Sequence, residues 1–300
     1  MTRIPGEILV TPEMALKWLA MNTKNRPIIP ALVDKYSADM RAGRWLNDGT
    51  PIQISISGRL NNGQHRLISI CRTGIACWMN IQEGCPEDCF ITLDNNKPRT
   101  GGHMYGAMKV KNYNQTAAIA RLALCFAAGT QINLSVSNAV LAQMLALHPD
   151  LEATAAAAMT VRKIIQPGPL GAVIALGNSS GDFTGEVEQF LTGLRTGENL
   201  AYGDPRLTLR GWLFARSREV GALQAGPTFF VAGRAWSAFA QGRSLSAFRD
   251  IRPPTIRTLT IFGFDPAAYP IPDLGKDPRQ TAQEAALRDG TDDRYYSAAR

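Results

Sequence analysis

The stretch from Pro51 to Thr73 constrains the fold more than any other. Pro51-Ile52-Gln53-Ile54-Ser55-Ile56-Ser57 alternates apolar and polar residues, the pattern of a half-buried strand. Gly58-Arg59-Leu60-Asn61-Asn62-Gly63-Gln64-His65-Arg66 follows and reads as a glycine-bearing turn. Leu67 to Thr73 then reads as a helix, with Leu67, Ile68, Ile70 and Cys71 on its inner face and Gly74 as its stop. A strand that turns through glycine into a helix N-terminus presents backbone N–H groups and the positive end of the helix dipole at one point, which suits a phosphate. His65 and Arg66 would add directional donors there.

The flanking segments extend this unit. Thr11-Pro12-Glu13 supplies a capping hydroxyl, a first-turn proline and an acid, so a helix is predicted from there to near Asn22. Leu32, Val33, Tyr36 and Met40 predict a second helix over Ile29 to Ala42, stopped by Gly43. Ile75 to Ile81 and Phe90 to Asp94 read as further strands. Residues 1–110 are therefore expected to be an α/β domain with a small mixed sheet.

From Gln115 onward the pattern is helical. Ala117 to Ala128, Leu141 to Leu147, Leu151 to Ile165, Val187 to Leu194, Arg206 to Val220 and Phe229 to Gln241 read as helices, with a break at Gln166-Pro167-Gly168-Pro169. An all-α domain over 111–272 and a loosely held tail over 273–300 complete the expected organisation. Gly101-Gly102-His103 reads as a mobile loop.

No apolar run approaches the roughly 18 residues of a membrane span. The N-terminus lacks a signal-peptide core, so a cytoplasmic location is expected. The five cysteines, an odd number, argue against a disulfide framework, and Cys85-Pro86-Glu87-Asp88-Cys89 has no second ligand pair to make a zinc site. The formal net charge of +7 favours a polyanionic partner such as DNA. Between Tyr202 and Arg257 arginines are dense and acids few; Arg206, Arg210, Arg216, Arg234 and Arg243 are candidate DNA contacts. The interleaved Trp236 and Phe239 have the spacing of core residues, and on that reading the arginines are a solvated face.

Arg59-Leu60-Asn61-Asn62-Gly63-Gln64-His65-Arg66-Leu67 resembles the DGQHR-type signature of the ParB/sulfiredoxin-like superfamily. Gly43-Arg44-Trp45 with Asn47-Asp48-Gly49-Thr50-Pro51-Ile52 resembles the lead-in of ParB-like domains of phage and plasmid proteins. Leu93-Asp94-Asn95-Asn96-Lys97-Pro98-Arg99-Thr100 resembles the second box of that family. The resemblance covers roughly residues 5 to 110. It implies a nucleoside triphosphate, CTP or ATP, held with Mg²⁺ by Asn62, Gly63, Gln64, His65, Arg66 and Arg99, in a DNA-associated protein that is also a candidate homo-oligomer. Gln64 stands where sulfiredoxins carry their catalytic cysteine, which excludes thiol chemistry at that position. Asn61 and Asn62 stand where kinases of the superfamily carry an acid, and an amide takes no proton at neutral pH. Asp48 and Asp94 are the candidate bases or metal ligands in its place.

Three functions follow as expectations. One is a nucleotide-responsive, DNA-associated protein with slow NTP hydrolysis as a switch. Another is an enzyme that transfers phosphoryl groups or modifies nucleic acid at the same turn. The third is a scaffold in which the nucleotide site has decayed.

Overall fold

A computed structural model describes residues 5–23, 25, 27–87, 100–130, 135–220, 223–248 and 259–274. Contacts divide the chain into two units, Met1–Pro98 with Asp273–Arg300 and Arg99–Pro272.

In the first unit a four-stranded mixed sheet runs in the order β1-β4-β2-β3. The strands are β1 (Glu7–Val10), β2 (Ile52–Ser55), β3 (Leu60–Asn62) and β4 (Cys77–Cys85). Strand β4 serves two neighbours with different parts of its length. Its first residues pair antiparallel with β1, Cys77 opposite Val10 and Asn80 opposite Glu7. Its later residues pair parallel with β2, Ile81 opposite Ile52 and Cys85 opposite Ser55. Strands β2 and β3 form an antiparallel hairpin, with Gly58 in a left-handed turn conformation between them.

Among the described residues three helices accompany the sheet: α1 (Pro12–Leu19), α2 (Pro30–Arg41) and α3 (Gln64–Thr73). Helix α1 starts as its sequence predicts, with the Thr11 hydroxyl accepting from the Met14 N–H at 3.3 Å. Val10, Ala15, Leu60, Leu67, Ile70 and Met79 meet in the core, with Ile52 and Ile54 from the alternating strand. The motif is more structured than a turn: it contains β3, and α3 begins at Gln64, three residues before Leu67. The expected strand at Phe90 to Asp94 lies outside the described residues. So does most of the expected tail; its first residue, Asp273, accepts a hydrogen bond from Arg44 through its carbonyl.

The second unit is helical: α4 (Gly101–Ala107), α5 (Tyr113–Ala127), α6 (Asn138–Leu147), α7 (Leu151–Met159), α8 (Pro167–Gly177), α9 (Thr184–Thr196), α10 (Pro205–Val220) and α11 (Ala225–Ala240). Three segments differ from the sequence expectation. The helix read over Leu151 to Ile165 ends at Met159. Pro167-Gly168-Pro169 opens α8 instead of breaking the chain, because a proline in the first helical turn gives up an N–H that has no intrahelical partner there. Helix α8 is the unit's spine, with residues 168–177 all buried. Glycine sets its close approaches: a Cβ on Gly171 would lie 2.3 Å from Ile119 of α5, and one on Gly177 would lie 2.2 Å from the Trp236 ring nitrogen of α11. The segment read as a mobile loop is α4, closed by a capping box. The Thr100 hydroxyl accepts from the His103 N–H at 3.2 Å, and the Thr100 N–H donates to His103 Nδ1 at 3.4 Å.

Candidate phosphate site

Helix α3 follows β3 through one residue, Gly63, with φ at 106°. This position requires glycine twice over. Its backbone is left-handed, and a Cβ there would lie 2.3 Å from Ile52 Cδ1. The strand–glycine–helix junction expected from the sequence is thus present, tightly packed on β2.

The side chains of the motif point in different directions. Gln64 is buried, and its Oε1 accepts from Asn22 Nδ2 at 3.0 Å. His65 is buried too, and its Nε2 accepts the Ile29 N–H at 2.9 Å. That hydrogen bond needs the neutral ring with its proton on Nδ1, so His65 bonds as an acceptor through Nε2 and not as a cationic donor. Arg66 is half-buried and donates to the carbonyls of Thr50 and of Pro51, the latter at 2.8 Å. Asn62 is half-buried, and Asn61 is buried with its Nδ2 donating to the Pro86 carbonyl at 3.2 Å. Helix α3 is ten residues long and has no side-chain cap at its start.

Asp48 is exposed, and its Oδ1 accepts from the Thr50 N–H at 2.9 Å. It therefore belongs to the same turn whose Thr50 carbonyl Arg66 grips. Asp94 and Arg99 lie outside the described residues. Among the described residues no group of three or more His, Cys, Asp or Glu side chains is placed to hold a metal ion. Cys71, Cys77, Cys85 and Cys125 form no disulfide among the described residues, and burial pushes the Cys77 thiol up to about 11.

Sequence reasoning missed the neighbours of this junction. Glu87, read only as part of the cysteine segment, accepts from the Ser57 N–H at 2.9 Å and pairs with Arg59. Those hydrogen bonds, first from the Ser57 backbone and then from the Ser55 and Ser57 hydroxyls, hold its carboxyl below the usual range. The partners of Gln64 and His65, Asn22 and Ile29, carry no local signal, since they lie 42 and 36 residues away in sequence.

In the helical unit the five candidate arginines separate into two groups. Arg206 is held inside its own unit. It pairs with Asp204 at 2.7 Å, donates to the Gln189 carbonyl at 3.1 Å and lies 4.6 Å from the Phe239 ring centroid. Arg210 donates to the carbonyl of Leu194 at the C-terminal end of α9, a favourable place for a cation. Arg216 and Arg243 are exposed, and Arg234 is half-buried, 6.0 Å from the Phe230 ring centroid. Of the two aromatics with core spacing, Trp236 is fully buried and Phe239 is half-buried; Phe229 is fully buried as well.

Comparison with models of protein families, with curated proteins and with solved structures finds no match. Among the described residues no helix is long and apolar enough to cross a membrane.

Proposed function

We propose that the first unit is a ParB-like phosphate-binding domain and that the protein is nucleotide-responsive and DNA-associated. The observation that carries this reading is the junction itself. Helix α3 begins at a left-handed glycine directly after a strand, with Arg66 beside it. The ligand would be a nucleoside triphosphate, CTP or ATP, recognised by the first-turn backbone N–H groups and Arg66. His65 offers no donor through Nε2, which already accepts the Ile29 N–H. Mg²⁺ would arrive bound to the triphosphate and water, since the described residues offer no carboxylate cluster for a resident ion. Hydrolysis would be slow, because Asn61 and Asn62 stand where a base is needed. DNA would meet the exposed Arg216 and Arg243 with Arg234, and the protein would work in the cytoplasm, as a homo-oligomer if α10 and α11 also pair between copies.

A second reading, a scaffold whose motif is a fold fastener, draws on the burial of Gln64 and His65 and on their hydrogen bonds to the chain's own segment.

Calorimetric titration of CTP, ATP, GTP and UTP with Mg²⁺, joined to amide NMR shifts, separates the two. The nucleotide reading expects one nucleotide to bind, to move the Gln64, His65 and Arg66 amides, and to weaken by at least about tenfold in Arg66→Ala. Silence from all four nucleotides leaves the fastener.

A further inference from the structure

Helix α10 turns one face away from its unit. Leu207, Gly211 and Phe214 recur at four- and three-residue spacing, so they line one side of the helix, and all three are exposed. Phe214 is 62% exposed, and Tyr202, three residues before the helix, is 91% exposed. Neighbouring rings pack inward instead: Trp212 meets Phe248 at 6.2 Å between centroids, and Phe239 meets Phe190 at 5.3 Å. Packing inside the chain does not call for glycine at Gly211, because a Cβ there would meet nothing within 4 Å. Glycine weakens a helix interior relative to alanine, and here it leaves bare backbone between two exposed apolar side chains.

The rim of this face is basic. Residues 243–248 run beside α10, with the Leu245 N–H donating to the Gly203 carbonyl at 2.7 Å and the Thr208 hydroxyl donating to the Leu245 carbonyl. They bring the exposed Arg243 and Ser244 to the end of the helix where Tyr202 lies. Over 202–217 and 243–248 there are four arginines, Arg206, Arg210, Arg216 and Arg243, and one acid, Asp204. Arg206 takes up that acid, whereas Arg210 rests on a carbonyl and keeps its charge.

This charge decides what covers the face. A second copy laid on it about a twofold axis would set arginine against arginine, with the one acid already engaged. A polyanion meets it with complementary charge. The exposed rings then distinguish among polyanions. A duplex keeps its base faces stacked inside, whereas a single strand offers them to aromatic side chains.

We propose that the exposed face of α10 binds single-stranded nucleic acid, with Tyr202 and Phe214 as stacking platforms for bases and Arg243, joined by Arg216, on the phosphates. Gly211 lets the strand lie close against the helix. This rests on the DNA association proposed above and narrows it to one class of strand.

Fluorescence anisotropy of the full chain tests it, with labelled oligothymidylate, oligouridylate and a DNA duplex, each about 20 nucleotides long, over a range of salt. The single strands should bind at least about tenfold more tightly than the duplex, and the ratio of the two tells DNA from RNA. Tyr202→Ala and Phe214→Ala should each weaken single-strand binding by about tenfold, while Tyr202→Phe and Phe214→Tyr, which keep a ring, should restore it. Arg243→Ala should lower the salt slope by about 0.7. These side chains are exposed, so the circular dichroism of each variant should match wild type. If the duplex binds as tightly as the single strands and removing the rings changes nothing, the stacking face is wrong and the DNA association stands. If no nucleic acid binds, both fall. If the chain instead self-associates in sedimentation and Gly211→Leu dissociates it, the face belongs to a second copy and the proposal is overturned.

Discussion

Two regions of the molecule, the motif and the surroundings of α8, bury their chain by opposite means. Around the motif of the first unit, buried polar side chains find partners far along the chain: Gln64 with Asn22, His65 with the Ile29 N–H, Asn61 with the Pro86 carbonyl. Around α8 of the second unit, the helix that forms the spine has no polar side chain over 167–177, and glycine lets its neighbours approach. One region is specified by directional bonds, which fix geometry and can be rearranged by a ligand. The other is specified by shape, which is stiff and indifferent to ligands.

Substituting one glycine in each unit tests that contrast most severely. In Gly171→Leu the added side chain must enter the space held by Ile119 and Ala158, and it should destabilise the second unit by about 3 kcal/mol. In Gly63→Ala a left-handed backbone and the contact with Ile52 together should cost about 2 kcal/mol in the first unit. Urea titration followed by region-resolved hydrogen exchange reads both. The contrast breaks if Gly171→Leu loosens the amides of α3 as much as those of α8, because the units would then unfold as one body.

The same contrast explains what the sequence could reveal. Helices α1 and α2 have apolar residues on one face and proline at the start, so their pattern located them to within a few residues. The alternation of Pro51–Ser57 located β2. Helix α8 is buried on all sides and has no polar face, so periodicity had nothing to detect, and its two prolines resembled a break. Helix α4 was hidden by Gly101 and Gly102, which are there for close packing: Cβ atoms would meet Leu141 at 2.4 Å and Asn114 at 2.2 Å. At the motif, the local chemistry of Gly63 and the start of a helix was readable. The direction of His65 was not, because it depends on a segment 36 residues earlier.

Alkaline pH should weaken both units, by different groups. In the second unit burial pushes the phenols of Tyr105 and Tyr269 well above their ordinary value. Unfolded phenols ionise near pH 10, so above that the folded state holds more protons, and stability that is intact below about pH 10 falls as pH rises. In the first unit the Cys77 thiol, raised from 9.0 to about 11, begins the same loss about a unit earlier. Urea midpoints measured from pH 8 to 11 should therefore decline first for the first unit. Cys77→Ala should flatten that early decline, and a decline unchanged by the substitution would assign it to other groups.

The smallest effect distinguishes two tyrosines within the shape-built unit. The Tyr105 hydroxyl donates to the Leu141 carbonyl at 2.6 Å, joining α4 to α6. Tyr105→Phe should cost about 1 kcal/mol, since it removes one hydrogen bond and strands a carbonyl. Tyr269 has its ring stacked on His148 at 3.9 Å, but its buried hydroxyl has no hydrogen-bond partner among the described residues. Tyr269→Phe keeps the stack and removes a polar atom that gains nothing, so its stability should change by less than about 0.5 kcal/mol or rise. Were Tyr269→Phe instead to cost as much as Tyr105→Phe, the hydroxyl would be satisfied by an ordered water, and this corner of the second unit would be held by directional bonds as the motif is.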